Sequence, residues 1–382
     1  MGNGADLDAP LALLGGASAR RFMQRHWQKK PLLVRGAMPG VQPPTTRAAL
    51  FELAANDDVE SRLVMQDERG WRLRRGPFAR RALPAARRPG WTLLVQGLDL
   101  HEPAAQALLR PFRFVPAARL DDLMLSWASD GGGVGPHLDS YDVFLLQVQG
   151  RRRWRWGRAR DTRFKPGLPL KILEHFEPTE EALLEPGDLL YLPPGWAHEG
   201  VAAGECMTAS IGFRAPTRAG LAAELLGRLA DAAPAAGDGA LYRDPAQAAS
   251  AEPGRMPPAL QAFARDAVER ALRRPGAIEL VLGEALSEPG ARVGFDAAEG
   301  RSACGGVELA RGTRMLYDDT HVFINGESWR AGGRDAKLLR RLADRFALDA
   351  AGVAGASREA RALLDDWLAA GWLQERAAGD PA

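Results

Sequence analysis

The sequence predicts a mostly β chain with α: a β-rich part to about residue 216, a helical middle, and a small mixed terminal piece. Three observations predict it. Up to residue 216, short apolar runs are separated by Gly and Pro, which is the punctuation of a sandwich or barrel rather than a parallel βαβ sheet. From residue 217 the apolar positions move to helical spacing. At 382 residues the chain is too long for one ordinary core and suits two or three domains.

Taken in order, a helical run with Phe22, Met23 and Trp27 leads into a strand over 31–34. Further strands are predicted over 91–95, 123–127, 142–148, 151–156, 188–192 and 206–213. Leu221, Leu225, Leu226 and Leu229 mark a helix within 217–232. After a Pro/Ala/Gly-rich link over 233–257, Leu260, Phe263, Ala264, Val268 and Leu272 mark a second helix, extended by 278–286. The last piece has strands over 307–309, 314–317 and 321–324, with Asn325-Gly326 as a turn. Helices around 338–346 and 358–368 follow, with Gly371 as the stop. The expected boundaries are therefore 1–216, 217–290 and 291–382, and the apolar helical stripes of the middle piece need a surface to cover, which predicts a homodimer.

Composition narrows the function. The formal charge of +2 is not that of a polycation built to coat nucleic acid, and residues 291–382 carry net −1, so direct nucleic-acid binding is not expected. No apolar run reaches the roughly 18 residues a membrane span needs. Residues 1–10 include Asp6 and Asp8 and lack the pattern of a secretory signal. Cys206 and Cys304 cannot make a disulfide framework and fit a reducing, cytoplasmic setting. Residues 60–120 carry 12 basic and 5 acidic side chains, read first as a solvated arginine-rich face, with RNA contact as the rival.

The chemistry rests on few residues. His137 and Asp139 are spaced to leave one face of an extended segment, and His198 follows 61 residues later, expected on a tight turn after the 188–192 strand. Two imidazoles and one carboxylate form the facial triad of non-haem iron(II) oxygenases, which leaves positions for a bidentate 2-oxo acid and dioxygen. A glycine-rich loop, Asp130 to Pro136, allows close backbone approach just before His137. Alternation across Arg151, Arg152, Arg153 and Arg155 must turn some guanidinium groups inward, and a buried cation demands an anion such as a dicarboxylate.

The stretch Gly135-Pro136-His137-Leu138-Asp139-Ser140-Tyr141-Asp142, then Gly150-Arg151-Arg152-Arg153-Trp154, Glu185-Pro186-Gly187-Asp188 and Pro193-Pro194-Gly195 up to His198, resembles the JmjC-domain ribosomal oxygenases, above all their bacterial arginine 3-hydroxylase branch. Arg25 to Pro31, Ser61 to Val64, Gly76 to Phe78 and Gly212 to Pro216 extend the likeness. The resemblance implies a double-stranded β-helix (cupin) core, a helical dimerisation segment and a winged-helix-like terminal domain. It implies Fe(II) held by His137, Asp139 and His198, with 2-oxoglutarate and O2 as cosubstrates and a large-subunit ribosomal protein as substrate. Arg152 would pair with the distal carboxylate of 2-oxoglutarate and Ser126 would share that pocket, whereas Ala128 stands where relatives have a second serine. Histidine hydroxylation, lysine demethylation and a non-catalytic binding role are the alternatives. Tyr141 and Asp142 are expected along a substrate channel, and six carboxylates from Glu174 to Asp188 are read as either a steering patch or an ordinary loop. Trp154 and Trp156 read as packing, and Cys206 as an inert buried thiol.

Overall fold

The computed structural model describes residues 6–68, 70–236, 239–297, 303 and 305–376; Cys304 and the first five residues of the N-terminal segment lie outside them. The chain divides into two compact units, Met1–Ala215 and Pro216–Ala382.

In the first unit, α1 (Ala19–Arg25) starts where the Ser18 hydroxyl accepts from the Arg21 amide, and it leads to β1 (Leu32–Val34). Helix α2 (Arg47–Leu53) is capped likewise by Thr46 and precedes the hairpin β2 (Ser61–Asp67) and β3 (Gly70–Arg75). Next come β4 (Trp91–Val95), α3 (Leu98–His101) and α4 (Pro103–Leu109). The remaining strands are β5 (Leu120–Ala128), β6 (Asp142–Arg158), β7 (Glu180–Leu184), β8 (Leu189–Leu192) and β9 (Trp196–Phe213). All pair antiparallel in one sheet ordered β1-β8-β6-β9-β5-β4-β2-β3, with β7 on the far half of β6.

Two strands are longer than the sequence reading expects. The runs 142–148 and 151–156 are one strand, β6, and its partner β9 begins at Trp196, so His198 lies within a strand rather than on a turn. Gly150 looks like a break but forms a bulge. The ladder runs from Asp142 opposite Phe213 to Arg158 opposite Trp196, with register shifts between Gln147 and Arg151. The small residues of 196–205 carry little strand signal, and pairing with β6 overrides it.

The bulge exchanges the two faces of β6. Before it, Val143 and Leu145 pack on the inner face while Phe144, Leu146 and Val148 join the outer core with Phe22, Tyr191 and Phe213. After it, Trp154 and Trp156 are the inner residues, so parity shifts by one. Arg152 thereby turns inward and Arg151 and Arg153 outward. The Gln147 amide braces the bulge by donating to the Gln149 carbonyl at 2.8 Å, and its own oxygen accepts from Thr208 Oγ1 at 2.9 Å.

The second unit opens with α5 (Arg218–Ala236), α6 (Pro258–Arg273) and α7 (Ala277–Ser287). The expected continuation of α6 over 278–286 is instead a separate helix, because Gly276 adopts a left-handed conformation at its start. Leu226, Leu260, Phe263, Val268 and Leu272 are exposed. The sheet β10 (Gly306–Leu309), β14 (Ala347–Leu348) and β15 (Leu373–Arg376) and the meander β11 (Met315–Tyr317), β12 (His321–Ile324) and β13 (Glu327–Arg330) complete the strands. They pack with α8 (Gly333–Arg345), α9 (Ala350–Ala354) and α10 (Arg358–Ala369) around Leu342, Leu364, Trp367 and Leu368. Strands β13 and β15 were not expected, since Glu-Ser-Trp-Arg and Leu-Gln-Glu-Arg carry no apolar alternation. Among the described residues no helix is long and apolar enough to cross a membrane.

The bulge yields a direct test. Gly150 has φ +62°, and a Cβ there would lie 2.1 Å from the Glu205 carbonyl oxygen, whereas Gly167, at φ +74°, has open space around it. Replacing Gly167 by Ala should cost about 1–2 kcal/mol of backbone strain. Gly150→Ala should cost about 3–4 kcal/mol because the β6–β9 ladder must also shift, read as the difference in denaturant midpoints.

Candidate metal centre

The loop 129–141 between β5 and β6 is laid against β9: the Gly131 amide donates to the Ala202 carbonyl at 3.0 Å and the Ala202 amide to the Gly132 carbonyl at 2.9 Å. Farther along, His137 and His198 pair as an isolated antiparallel bridge, each amide donating to the other's carbonyl at 3.0 Å. That backbone pair puts two imidazoles distant in sequence side by side, their ring centroids 4.2 Å apart. An Asp139 carboxylate oxygen lies 3.9 Å from His137 Nε2, and the other 3.5 Å from His198 Nε2. One donor atom from each residue lies within 4.8 Å of the other two.

Backbone carbonyls orient both rings. His137 Nδ1 is 2.9 Å from the Gly135 carbonyl and His198 Nδ1 is 3.1 Å from that of Trp196, so a proton on each Nδ1 leaves Nε2 as the free donor facing Asp139. Burial, and then the neighbouring His137, push the His198 imidazole down to about 4, which keeps it a neutral ligand at ordinary pH. Gly135 (φ +77°) needs its glycine, because a Cβ would meet Ile172 and Trp71 at 3.0–3.1 Å. The Leu173 amide holds the same loop by donating to the Pro136 carbonyl at 2.9 Å.

Deeper on the inner face, Arg152 is 5% exposed and donates through Nη1 to Ser126 Oγ at 3.2 Å. Its Nε and Nη2 atoms are buried with no hydrogen-bond partner. Among the described residues of the first unit, the buried side-chain polar atoms without a partner belong to Thr92, Arg152, Trp154 and Trp156 alone. A guanidinium with one edge satisfied and the other bare is built for a bidentate anion. The donor set near the loop suits a divalent redox metal, and the bare edge suits the distal carboxylate of a chelating dicarboxylate. Trp154 packs as expected, its ring 5.8 Å from that of His198.

Other expected residues fall differently. Asp142 is no channel wall. It is fully buried and accepts from Tyr191 Oη at 2.6 Å, Gln28 Nε2 at 3.0 Å and Arg119 Nη2 at 3.3 Å, tying the start of β6 into the core. In the acidic stretch, Asp188 fastens Arg35 and the amides of Gly36 and Glu185, Glu181 pairs with Arg153, and Glu174 lies 3.8 Å from Arg163. Half of those carboxylates are thus engaged at home. Tyr141 does stand beside the metal candidates, its phenol pushed up by burial and by the Asp139 carboxylate. Cys206 is buried among Ala128 and Ala202, as an inert thiol would be.

The sequence reading missed Asp122. Burial, then the charges of Asp99 and Asp121, push its carboxyl up to about 7 although the Gly97 amide (2.6 Å) and Gln96 Nε2 (2.8 Å) donate to it. Its charge and that of Asp139 both help push up the Tyr141 phenol. The only available signal was its place two and four residues before Met124 and Ser126 on β5.

Comparison with known proteins agrees with this geometry. Residues 107–221 match the JmjC domain family and residues 270–374 the ROXA-like winged helix. The ribosomal protein uL16 3-hydroxylase of Escherichia coli (strain K12) is 45% identical over 197 residues, 51% of this chain and 52% of that protein. That match thus spans about half the length of the curated relative. The crystal structure of E. coli YcfD superposes with a TM-score of 0.81 at 32% identity, covering 92% of this chain and 96% of that one. A further structure of YcfD, described as a ribosomal oxygenase in complex with cobalt and 2-oxoglutarate, superposes with a TM-score of 0.78 at the same identity and coverage. The chain belongs to the JmjC-domain ribosomal oxygenase family.

Proposed function

We propose that this chain is an Fe(II)- and 2-oxoglutarate-dependent hydroxylase of an arginine side chain in a large-subunit ribosomal protein. The observation that carries the reading is the His137/Asp139/His198 donor set on the same inner surface as a buried guanidinium with a bare edge. The E. coli relative named for 3-hydroxylation of uL16 supplies the substrate class. Bound iron with 2-oxoglutarate and O2 supplies the oxidising chemistry, placing one oxygen atom on the substrate carbon and the other in succinate as CO2 leaves.

The protein's own residues bind and orient. His137, Asp139 and His198 would hold the metal and, as only three ligands, would leave positions on it for cosubstrate. Arg152, steadied by Ser126, takes the distal carboxylate. Asp122 offers a half-buried carboxyl that a cationic side chain would pair, consistent with an arginine target. Lysine demethylation by the same machinery is the runner-up, and the complete donor set disfavours a merely binding cupin. Residues 1–216 form the catalytic domain in this reading, 217–290 a dimerisation domain and 291–382 a winged-helix-like domain. The exposed apolar residues of α6 support a homodimer. Cytoplasmic action follows from a ribosomal substrate, and direct nucleic-acid binding is not part of the proposal.

Four measurements test this. Incubation with uL16, iron, 2-oxoglutarate and O2 should add about 16 Da to one arginine, located by mass spectrometry, and His137→Ala or Asp139→Ala should abolish the product while unfolding stays cooperative. Product on a histidine or loss of a lysine methyl group would assign the alternatives. Arg152→Ala should raise the KM for 2-oxoglutarate about 10- to 100-fold with metal affinity retained, and Arg151→Ala should not.

Asp122 makes a pH prediction. Its folded carboxyl titrates near 7 and an unfolded one near 3.9, so the folded state holds the extra proton between those values. Its contribution to stability is therefore fully present below about pH 4 and is lost as the pH rises through 7. Asp122→Asn should flatten that slope in denaturant unfolding from pH 4 to 8, and should raise the KM for the protein substrate without changing that for 2-oxoglutarate. Light scattering at micromolar concentration should give a dimer; an active monomer would refute the role given to 217–290.

A further inference from the structure

Thr92 presents an unexplained group. Its side chain is 1% exposed, yet its hydroxyl has no hydrogen-bond partner. A buried hydroxyl without a partner is costly, and β4 is otherwise wholly apolar, Trp-Thr-Leu-Leu-Val. Valine would fill the same space on a strand without that cost.

Sheet register says where the hydroxyl points. Thr92 lies opposite Ala128, and Leu94 opposite Ser126, across β4 and β5. Directly paired residues share a face, so Thr92, Leu94, Ser126 and Ala128 all belong to the inner face. The odd members of β4, Trp91, Leu93 and Val95, belong to the outer core. Ala128 lies opposite Cys206 on β9 and shares a buried cluster with Cys206 and Ala202, and Ala202 lies opposite Arg152 on β6. One end of the Arg152 guanidinium is taken by Ser126. Thr92 is the diagonal cross-strand neighbour of that same Ser126, so its bare hydroxyl belongs to the face on which the Arg152 guanidinium ends, with Nε and Nη2 bare.

We propose that Thr92 donates a hydrogen bond to the distal carboxylate of the cosubstrate, as the neutral partner of Arg152. This rests on the 2-oxoglutarate reading above and adds a residue to it. The carboxylate lies on the bare guanidinium edge, and Thr92 reaches it from β4 across β5. The small side chain at Ala128 leaves the path from Thr92 to that carboxylate open, and a larger residue there would close it.

Binding of 2-oxoglutarate to the Mn(II)-loaded protein, measured by calorimetry, tests the assignment. Thr92→Val should weaken it about tenfold, the usual scale for a hydrogen bond to a charged group, and Thr92→Ser should restore most of it. Binding of 2-oxopentanoate, which lacks the distal carboxylate, should be the same in Thr92→Val and in the unaltered protein. The thermal midpoint of Thr92→Val without cosubstrate should be unchanged or higher, because the hydroxyl loses no partner there. Unchanged 2-oxoglutarate binding in Thr92→Val overturns the assignment, as does equal weakening of both ligands or a lowered midpoint without cosubstrate, which would mark a packing role. If the unaltered protein shows no saturable 2-oxoglutarate binding, the cosubstrate reading fails as a whole and takes this assignment with it.

Discussion

The pairing of β6 with β9 is the constraint on which the catalytic unit depends. Both strands are long enough to belong to the outer core at one end and to the inner pocket at the other, and the bulge around Gly150 lets one ladder serve both. Were the strand regular, Arg151, Arg153 and Arg155 would face inward and Trp154 and Trp156 would face solvent. The observed arrangement buries two indoles, at roughly 1.5–3 kcal/mol or more each, and one cation. Register is thus specified chiefly by the tryptophans, and Arg152 rides on the parity they impose.

The same ladder makes the metal centre possible. With β9 held against β6, the glycine-rich loop after β5 can close on β9 by backbone hydrogen bonds, and the His137–His198 bridge continues that closure. No side-chain contact is needed to bring the two imidazoles together. Backbone carbonyls at each Nδ1 then select the ring orientation before any metal arrives, so little ordering remains to oppose binding.

Polar groups divide sharply between the two faces of the sheet. On the outer side, the buried Asp142 is saturated by Tyr191, Gln28 and Arg119, as a structural carboxylate must be. On the inner side, Thr92 and Arg152 keep buried atoms unpartnered, and Asp122 is held toward its neutral form. Unsatisfied groups of this kind lower stability, and their concentration on one surface marks where ligands are received rather than where the fold is secured.

How much of this the sequence by itself determined depends on the range of the interaction. Local pattern sufficed for β4, β8, the start of α5, and helices α8 and α10, since each is set by its own apolar period and punctuation, but it ran α7 into α6 and missed α9. It also sufficed to name His137, Asp139 and His198, because residue type restricts ligand chemistry more than placement does. Resemblance to a family, rather than spacing, singled out Arg152 and Ser126. Local pattern failed at Gly150, read as a break, at the turn expected for His198, and at Asp142, whose neighbour Tyr141 stands beside Asp139 while its own side chain turns into the core. Asp122 and Thr92 were invisible, since a carboxylate or a hydroxyl in a strand is ordinary until its burial and its partners are known. Those are properties of long-range pairing, and a one-residue slip in pairing reverses every face of a strand, so only the tertiary structure could decide them.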